Sequence, residues 1–242
     1  TPAGVPAHTT LYRGASPRTG MRIALLGGTG DIGEGLALRW GYHTTHDVVI
    51  GSRDPDDAHA AADEYEATLD AHDRDTKITG FENAMAADRA DVVVLAVPPY
   101  HVADAVESVA DRLDDGDILV TPAAGLTRDE DGFHYHPPSA GSVTALVADA
   151  APDSVSVIGA FHSLAAGRLA DLDADLDVDT LLLGDDESAK DTIAGLAEDI
   201  DGLRTLDAGG LANAAEVESL TPLLINVAQR NDGLSDLGVQ FR

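Results

Sequence analysis

The sequence contains no cysteine and very little lysine. Without cysteine, disulfide bonds, thiolate nucleophiles and cysteine-ligated metals are excluded. Lys and Arg number 15 against 43 Asp and Glu, which gives a net charge of −28, and the lysines are Lys77 and Lys190. Nucleic acid is therefore not an expected partner, because binding its phosphates needs a basic patch.

Long apolar runs are also lacking. No run approaches the roughly 20 residues that a membrane helix needs, and the first twenty residues have no apolar core of a secretory signal. We therefore expect a cytoplasmic protein without a membrane partner, and we interpret residues 1–20 as a flexible extension. No metal site is predicted, because His134 and His136 stand in a polar segment without a fixed third ligand.

The acidic residues are spread along the whole chain. Such a surface is typical of proteins from salt-loving organisms, because excess carboxylates keep a protein hydrated in concentrated salt and repel one another in dilute buffer. The alternative is an acidic surface that binds a basic partner.

Short apolar runs alternate with segments of helical spacing, and an apolar share of 44% allows a substantial core. This alternation predicts an α/β fold, a Rossmann doubly wound and mostly parallel sheet, with a Rossmann domain over residues 21–150 and a smaller C-terminal α/β domain over residues 151–242. Strands are predicted at 22–27, 47–51, 77–79, 91–97, 117–121, 155–160 and 180–184. Helices are predicted at 31–40, 56–69, 102–113, 139–150, 187–200 and 212–229.

A glycine motif follows the first predicted strand and opens the first predicted helix. Its residues Gly28, Thr29, Gly30, Asp31, Ile32 and Gly33 fit G-x-G-x-x-G. In this context the glycines let the backbone approach a pyrophosphate, which the helix N-terminus then binds. The alternative is a tight turn that binds nothing. Asp31 would repel the phosphates, or it stabilises the helix dipole.

The end of the second strand indicates which dinucleotide is bound. NAD sites usually place a carboxylate there, on the ribose 2′-hydroxyl. This chain has Ser52 and Arg53 instead, and a hydroxyl and a guanidinium favour the 2′-phosphate of NADP. A plain surface arginine is the alternative. His101 lies at the end of the fourth strand, where ligands gather in such sheets, or it is a surface histidine at a helix start.

Several segments together resemble the archaeal F420:NADP oxidoreductases. The resemblance extends over most of residues 21–242 and rests on Leu25–Trp40, Val48–Arg53, Val97-Pro98, His101, His162–Arg168, Ile200–Gly209 and Val217–Asn226. It implies reversible hydride transfer between NADP(H) and the deazaflavin coenzyme F420. A homodimer is expected on separate grounds, because the apolar last helix would contribute to its interface.

The resemblance also implies a set of ligand contacts. His162 and Leu164 would lie where the two rings meet, and Thr221 near the deazaflavin. Hydride passes from carbon to carbon, so no catalytic acid or base is expected. The remaining implied contacts to NADP are made by Thr29, Gly30, Asp31, Ile32, Ser52, Arg53, Val97, Pro98, His101, Ala124 and Ala166.

Three residues depart from the family pattern by removing positive or adding negative charge: Asp31, Asp57 and Ala215.

Two other functions stay open. An NADP-dependent imine or ketone reductase would need a proton donor, for which the chain offers Tyr100, His101 or His162. A non-enzymatic NADP-sensing module would bind the nucleotide without turnover.

Overall fold

A central parallel sheet forms the core of the molecule, for which a computed structural model describes residues 20–242. Within these residues six strands pair in the order β3-β2-β1-β4-β5-β8. They are β1 (Arg22–Leu26), β2 (Asp47–Ser52), β3 (Ile78–Glu82), β4 (Val92–Leu95), β5 (Ile118–Thr121) and β8 (Ser156–Gly159). The predicted doubly wound fold is confirmed. The predicted extension, apart from Gly20, lies outside the described residues.

Helices cover both faces of this sheet. Successive side chains of a strand point to opposite faces, and β1 shows this directly: Ile23 and Leu25 join one core, whereas Ala24 and Leu26 join the other. The first core includes α1 (Asp31–His43), α2 (Pro55–Ala71) and α7 (Glu187–Glu198). The second includes α3 (Asn83–Ala87), α4 (Val102–Val109) and α5 (Val143–Ala150).

Two small sheets lie outside the main one. An antiparallel hairpin joins β6 (Leu126–Asp129) to β7 (Gly132–Tyr135), and a parallel pair joins β9 (Val178–Leu182) to β10 (Leu203–Asp207). The polar segment with His134 is therefore a strand and not a loop, and His134 Nε2 lies 3.0 Å from Asp129 Oδ1. No group of three or more histidines and carboxylates within residues 20–242 is arranged to hold a metal ion.

The predicted helix at 212–229 is two helices, α8 (Ala214–Glu218) and α9 (Leu220–Arg230). Pro222 has no N–H to donate to the carbonyl of Glu218, so the helix breaks one turn before the proline. A short helix that was not predicted, α6 (Ala166–Ala170), follows β8. In the described part of the chain, no helix has the length and apolar character to cross a bilayer.

Side chains of α1 tie the main sheet to the C-terminal third of the chain. Arg39 donates to the carbonyls of Leu169 and of three neighbouring residues at 2.6–2.9 Å, and Trp40 Nε1 donates to Leu196 O at 2.8 Å. The sixth strand of the main sheet, β8, also comes from beyond residue 150. The domain boundary at residue 150 stays a prediction.

Candidate active site

A cleft of about 820 Å³ opens at the carboxyl ends of the first four strands. In doubly wound parallel sheets, ligands bind outside the carboxyl ends of the strands. They bind at the point where successive strands of the chain begin to be added on the other side of the first strand. Here β1 lies between β2 and β4, so the cleft is at that point. The lining residues are Gly27, Thr29, Gly30, Ser52, Arg53, Asp54, Asp57, Glu82, Asn83, Ala96, Val97, Pro98, His101, Asp104, Ala105 and Ser108.

The turn between β1 and α1 leaves the start of the helix available to a ligand. Gly27 has φ +75°, and a Cβ there would lie 2.7 Å from Val97 Cγ1, so only glycine fits. Gly30 is the N-cap residue of α1, and no side chain caps the helix. The first N–H groups of α1 can therefore donate to an anion.

The last glycine of the motif serves packing. A Cβ on Gly33 would lie 2.5 Å from Gly28 Cα, so this glycine lets α1 lie close to the turn. Tyr65, which sequence reasoning missed, holds the same turn by donating from Oη to Gly28 O at 2.9 Å. Burial raises the pKa of Tyr65, so the hydroxyl keeps its proton. Gly28, Asp31, Ile32 and Gly33 do not line the cleft.

Ser52 and Arg53 lie in the cleft directly at the end of β2. Ser52 is nearly buried, and its Oγ accepts from Asp54 N at 3.3 Å. Arg53 is exposed and has no ion-pair partner among residues 20–242, so its guanidinium is free to bind a phosphate.

Carboxylates dominate the charge of the cleft. Asp54, Asp57, Glu82 and Asp104 line it beside Arg53. Two of these groups are used locally, since Asp54 accepts from Asp56 N and Glu82 from Ala84 N to cap α2 and α3. The glycine motif and the β2 end identified part of this lining, whereas the residues that follow β3 and those on α4 were missed. Only the fold brings them to the same cleft.

Four residues predicted to contact the coenzymes follow β5 and β8 at the same edge of the sheet, outside the lining of the cleft. They are Ala124, His162, Leu164 and Ala166, of which the first three are buried. Thr221 reaches this group from α9, where its Oγ1 donates to His162 O at 2.8 Å.

His162 is 4% exposed, and neither ring nitrogen has a hydrogen-bond partner among residues 20–242. Burial lowers the pKa of His162 to about 4, so the imidazole is neutral at pH 7. Phe161, which precedes it, has φ +66°, and its N–H donates to Thr180 Oγ1 at 2.9 Å. This unusual backbone conformation of a non-glycine residue sets the direction in which His162 leaves the strand.

The chain is similar over most of its length to proteins of known family. Residues 22–125 match the family described as NADP oxidoreductase, coenzyme F420-dependent. The F420-dependent NADP reductase of Methanocaldococcus jannaschii is 37% identical over 218 residues, which are 88% of this chain and 96% of the relative. That of Methanothermobacter marburgensis is 38% identical over 215 residues, 87% and 94% of the two chains.

The chain belongs to the F420-dependent NADP reductase family. The resemblance found in the sequence is thereby confirmed.

Solved structures agree on the fold. A protein of Arthrobacter sp. FB24, provisionally named an F420-dependent NADP reductase, has a TM-score of 0.75 at 24% identity and covers 92% of this chain and 99% of its own. A pyrroline-5-carboxylate reductase of Coxiella burnetii has a TM-score of 0.55 at 16% identity, covering 90% of this chain and 73% of its own. At these identities the likeness concerns the fold alone.

The residues present fit the dinucleotide that the family name implies. An uncapped helix start suits a pyrophosphate, and a free guanidinium beside a serine hydroxyl suits a 2′-phosphate. The neutral His162 and the small residues Ala124 and Ala166 suit a pair of flat rings, because they add neither charge nor bulk.

Proposed function

We propose that the protein catalyses reversible, direct hydride transfer between NADP(H) and coenzyme F420. The observation that carries this proposal most directly is Arg53 beside Ser52, without an ion-pair partner in residues 20–242, in a cleft that begins at an uncapped helix. Family membership supports the second coenzyme, because the relatives are F420-dependent NADP reductases.

The side chains of this chain would bind, orient and exclude water. The two coenzymes supply the hydride chemistry, so the protein has to hold two rings face to face with the reacting atoms roughly 3–3.5 Å apart. Leu164 would shield the rings from water. The neutral His162 would contact them without offering a proton at pH 7.

The test is to mix the protein in molar KCl with NADPH and oxidised F420 and to follow the loss of the deazaflavin's visible absorbance. NADH replaces NADPH as the control. We expect rapid loss with NADPH and little with NADH. If NADPH binds and the absorbance does not change, the F420 assignment is wrong.

Arg53→Ala tests the 2′-phosphate contact. A charge-assisted hydrogen bond contributes about 1.5–3 kcal/mol, so the KM for NADPH should rise about 10- to 100-fold, with the KM for NADH unchanged. Arg112→Ala is the matched control, because Arg112 is exposed and lies outside the cleft. Equal losses with both nucleotides would contradict the proposed role of Arg53.

An imine or ketone reductase is the other enzyme that this fold could serve. It needs a protonated group near the nicotinamide, and burial keeps the pKa of His162 at about 4, well below neutral pH. Tyr100 is 77% exposed, so it lacks the buried position of such a donor. Turnover of an imine without F420 would favour this alternative, and binding without any turnover would favour a sensor.

We further propose a homodimer that covers α9. Pro222 is the only buried residue of this apolar helix, whereas Leu223 and Val227, one turn apart, are 56% and 36% exposed. Exposed apolar residues on one face of a helix favour contact with another protein surface. Light scattering should give twice the mass of one chain, and Leu223→Glu should give the mass of one chain.

We also propose that the protein works in the cytoplasm of a cell with high internal salt. The net charge of −28 supports this proposal, and it argues against nucleic acid as a partner.

A further inference from the structure

The two sides of the proposed ring site belong to different segments of the chain. Ala124 follows β5 and His162 follows β8. Because Thr121 pairs with Gly159 in the sheet, each of the two residues lies three positions beyond the same level. Hydride transfer between two rings needs the reacting atoms roughly 3–3.5 Å apart. The rate of transfer should therefore depend on how firmly these two segments are held relative to each other.

The segment with Ala124 continues directly into the hairpin of β6 and β7. Gly125 lies at the base of this hairpin, where its carbonyl accepts from His136 N at 2.9 Å. A Cβ on Gly125 would lie 2.2 Å from His136 O, so the backbones are in close contact here. A displacement of the hairpin would therefore also displace Ala124.

The segment with His162 is held by α9. Thr221, in the first turn of that helix, donates from Oγ1 to His162 O at 2.8 Å. Farther along the same helix, the Asn226 side chain accepts from Phe133 N at 2.8 Å and donates to Phe133 O at 2.6 Å. The helix thus contacts both segments, the hairpin through Asn226 and His162 through Thr221.

Glu218 fixes the start of this helix. It is the last residue of α8, three positions before Thr221, and it is completely buried. One of its oxygens accepts from Tyr135 Oη of the hairpin and from Val143 N, and the other accepts from Thr144 N and Thr144 Oγ1. Burial and the charge of Glu218 raise the pKa of Tyr135, so the hydroxyl keeps its proton and remains a donor.

We propose that Glu218 is a positioning residue for hydride transfer: by joining the hairpin to the start of α9, it sets the distance between the segments of Ala124 and His162. Glu218 is completely buried, so it acts through these segments and does not contact a coenzyme. Each of its oxygens accepts from a backbone N–H, so the NH2 group of a glutamine would face a donor in either orientation. The inference rests on the proposed function.

The test is a single turnover followed by stopped flow in molar KCl, with the protein first saturated with NADPH and then mixed with saturating oxidised F420. The rate constant for the loss of deazaflavin absorbance reports the positioning of the rings, whereas the amplitude reports the fraction of active protein. Tyr135→Phe removes the hydroxyl that joins the hairpin to Glu218 and should lower the rate constant severalfold. Glu218→Gln should lower the rate constant about 10- to 100-fold. The amplitude and the Kd for NADPH should stay unchanged in both variants.

Glu66→Gln is the matched control. Glu66 also accepts two hydrogen bonds, from Lys77 Nζ and from Ile78 N, both at 2.9 Å. These bonds lie at the start of β3, at the opposite end of the sheet from the cleft. Glu66→Gln should therefore lower the stability of the protein and leave the rate constant unchanged.

An unchanged rate constant in Tyr135→Phe would overturn the inference, because the hairpin would then not be positioned through Glu218. This variant decides the matter even where Glu218→Gln fails to fold. A reduced amplitude with an unchanged rate constant, or an equal loss in Glu66→Gln, would also overturn it, because Glu218 would then only stabilise the fold. Failure of the wild type to reduce F420 while NADPH binds would overturn the proposed function as well, whereas transfer by the wild type that both variants retain in full would overturn this inference alone.

Discussion

Two buried polar side chains, His162 and Glu218, differ in their hydrogen bonding. Within the described part of the chain, His162 has no hydrogen-bond partner at either ring nitrogen. Glu218 is completely buried, but its two oxygens accept from Tyr135 Oη, Val143 N, Thr144 N and Thr144 Oγ1 at 2.9–3.0 Å. The carboxylate thus has donors for both oxygens and joins α8, the hairpin and the start of α5.

The isolation of His162 predicts a dependence of stability on pH. Its pKa is about 4 in the folded protein against about 6.5 for an unperturbed histidine. Between these values the unfolded chain binds the proton more tightly, so the free energy of unfolding falls as the pH falls from 6.5 to 4. This residue should account for about 3 kcal/mol of the loss.

Denaturant unfolding in molar KCl between pH 7 and pH 4 measures this effect. The loss of stability on acidification should be smaller in His162→Gln by about the same amount. His134→Gln is the control, because His134 is exposed and paired with Asp129. If the free energy of unfolding depends on pH in the same way in His162→Gln and in the wild type, burial of His162 is not the cause of the acid destabilisation.

Close contacts between elements also limit substitution. A Cβ on Gly80 of β3 would lie 2.4 Å from the carbonyl carbon and oxygen of Ala58 in α2. Gly80→Ala should therefore push α2 away from the sheet and lower the free energy of unfolding by about 1–3 kcal/mol. Thr79→Ala changes the neighbouring exposed position and should cost less than about 1 kcal/mol. Chemical denaturation compares the two, and equal effects would exclude the clash.

The strands β1, β2, β4, β5 and β8 were predictable because each contains a continuous apolar run, as strands buried on both faces require. The edge strand β3 alternates, and only its first part was predicted. The hairpin was not predicted, because none of its strand residues is buried and the two strands contain no apolar run. One signal for it existed: Asp131 and Gly132 are residues favoured in turns, of which Asp131 lies in the two-residue turn and Gly132, with φ +126°, begins β7. Strand β10 was missed because its burial alternates and gives no apolar run.

The candidate site likewise contains residues that local sequence patterns identified and residues that they missed. The glycine turn and the Ser52-Arg53 pair follow one strand each, so local sequence identified them. Tyr65 acts through a hydrogen bond to a residue 37 positions away, and Asn83 enters the cleft because β3 pairs with β2. No local pattern contains either relation.

At the scale of the whole molecule, charge should govern nucleotide binding. Salt normally weakens the binding of an anion to a basic site. Here four carboxylates share the cleft with Arg53, in a chain of net charge −28. Salt should weaken the repulsion between the carboxylates and the phosphates of NADPH more than it weakens the attraction of Arg53 for them. We therefore expect the Kd for NADPH to fall severalfold between about 0.2 M and about 3 M KCl.

Equilibrium titrations at matched pH measure this dependence. The double variant Asp54→Asn, Asp57→Asn removes two of the carboxylates and should flatten it. Glu107→Gln removes one exposed carboxylate of α4 outside the lining, and serves as the control. A Kd for NADPH that rises steadily with the salt concentration would contradict this prediction. It would show that the attraction of Arg53 outweighs the repulsion by the carboxylates.

Hydrogen bonds join α1 to the C-terminal third of the chain. The two parts of the protein should therefore stay together even when the backbone between them is cut. Arg39 and Trp40 donate five hydrogen bonds to carbonyls between residues 168 and 196, and β8 completes the main sheet beside β5. Three of the five residues from Pro137 to Gly141 are exposed, and the segment has no helix or strand. A protease that cuts there would leave two fragments that stay associated, and fragments produced separately should reassemble into one molecule on mixing.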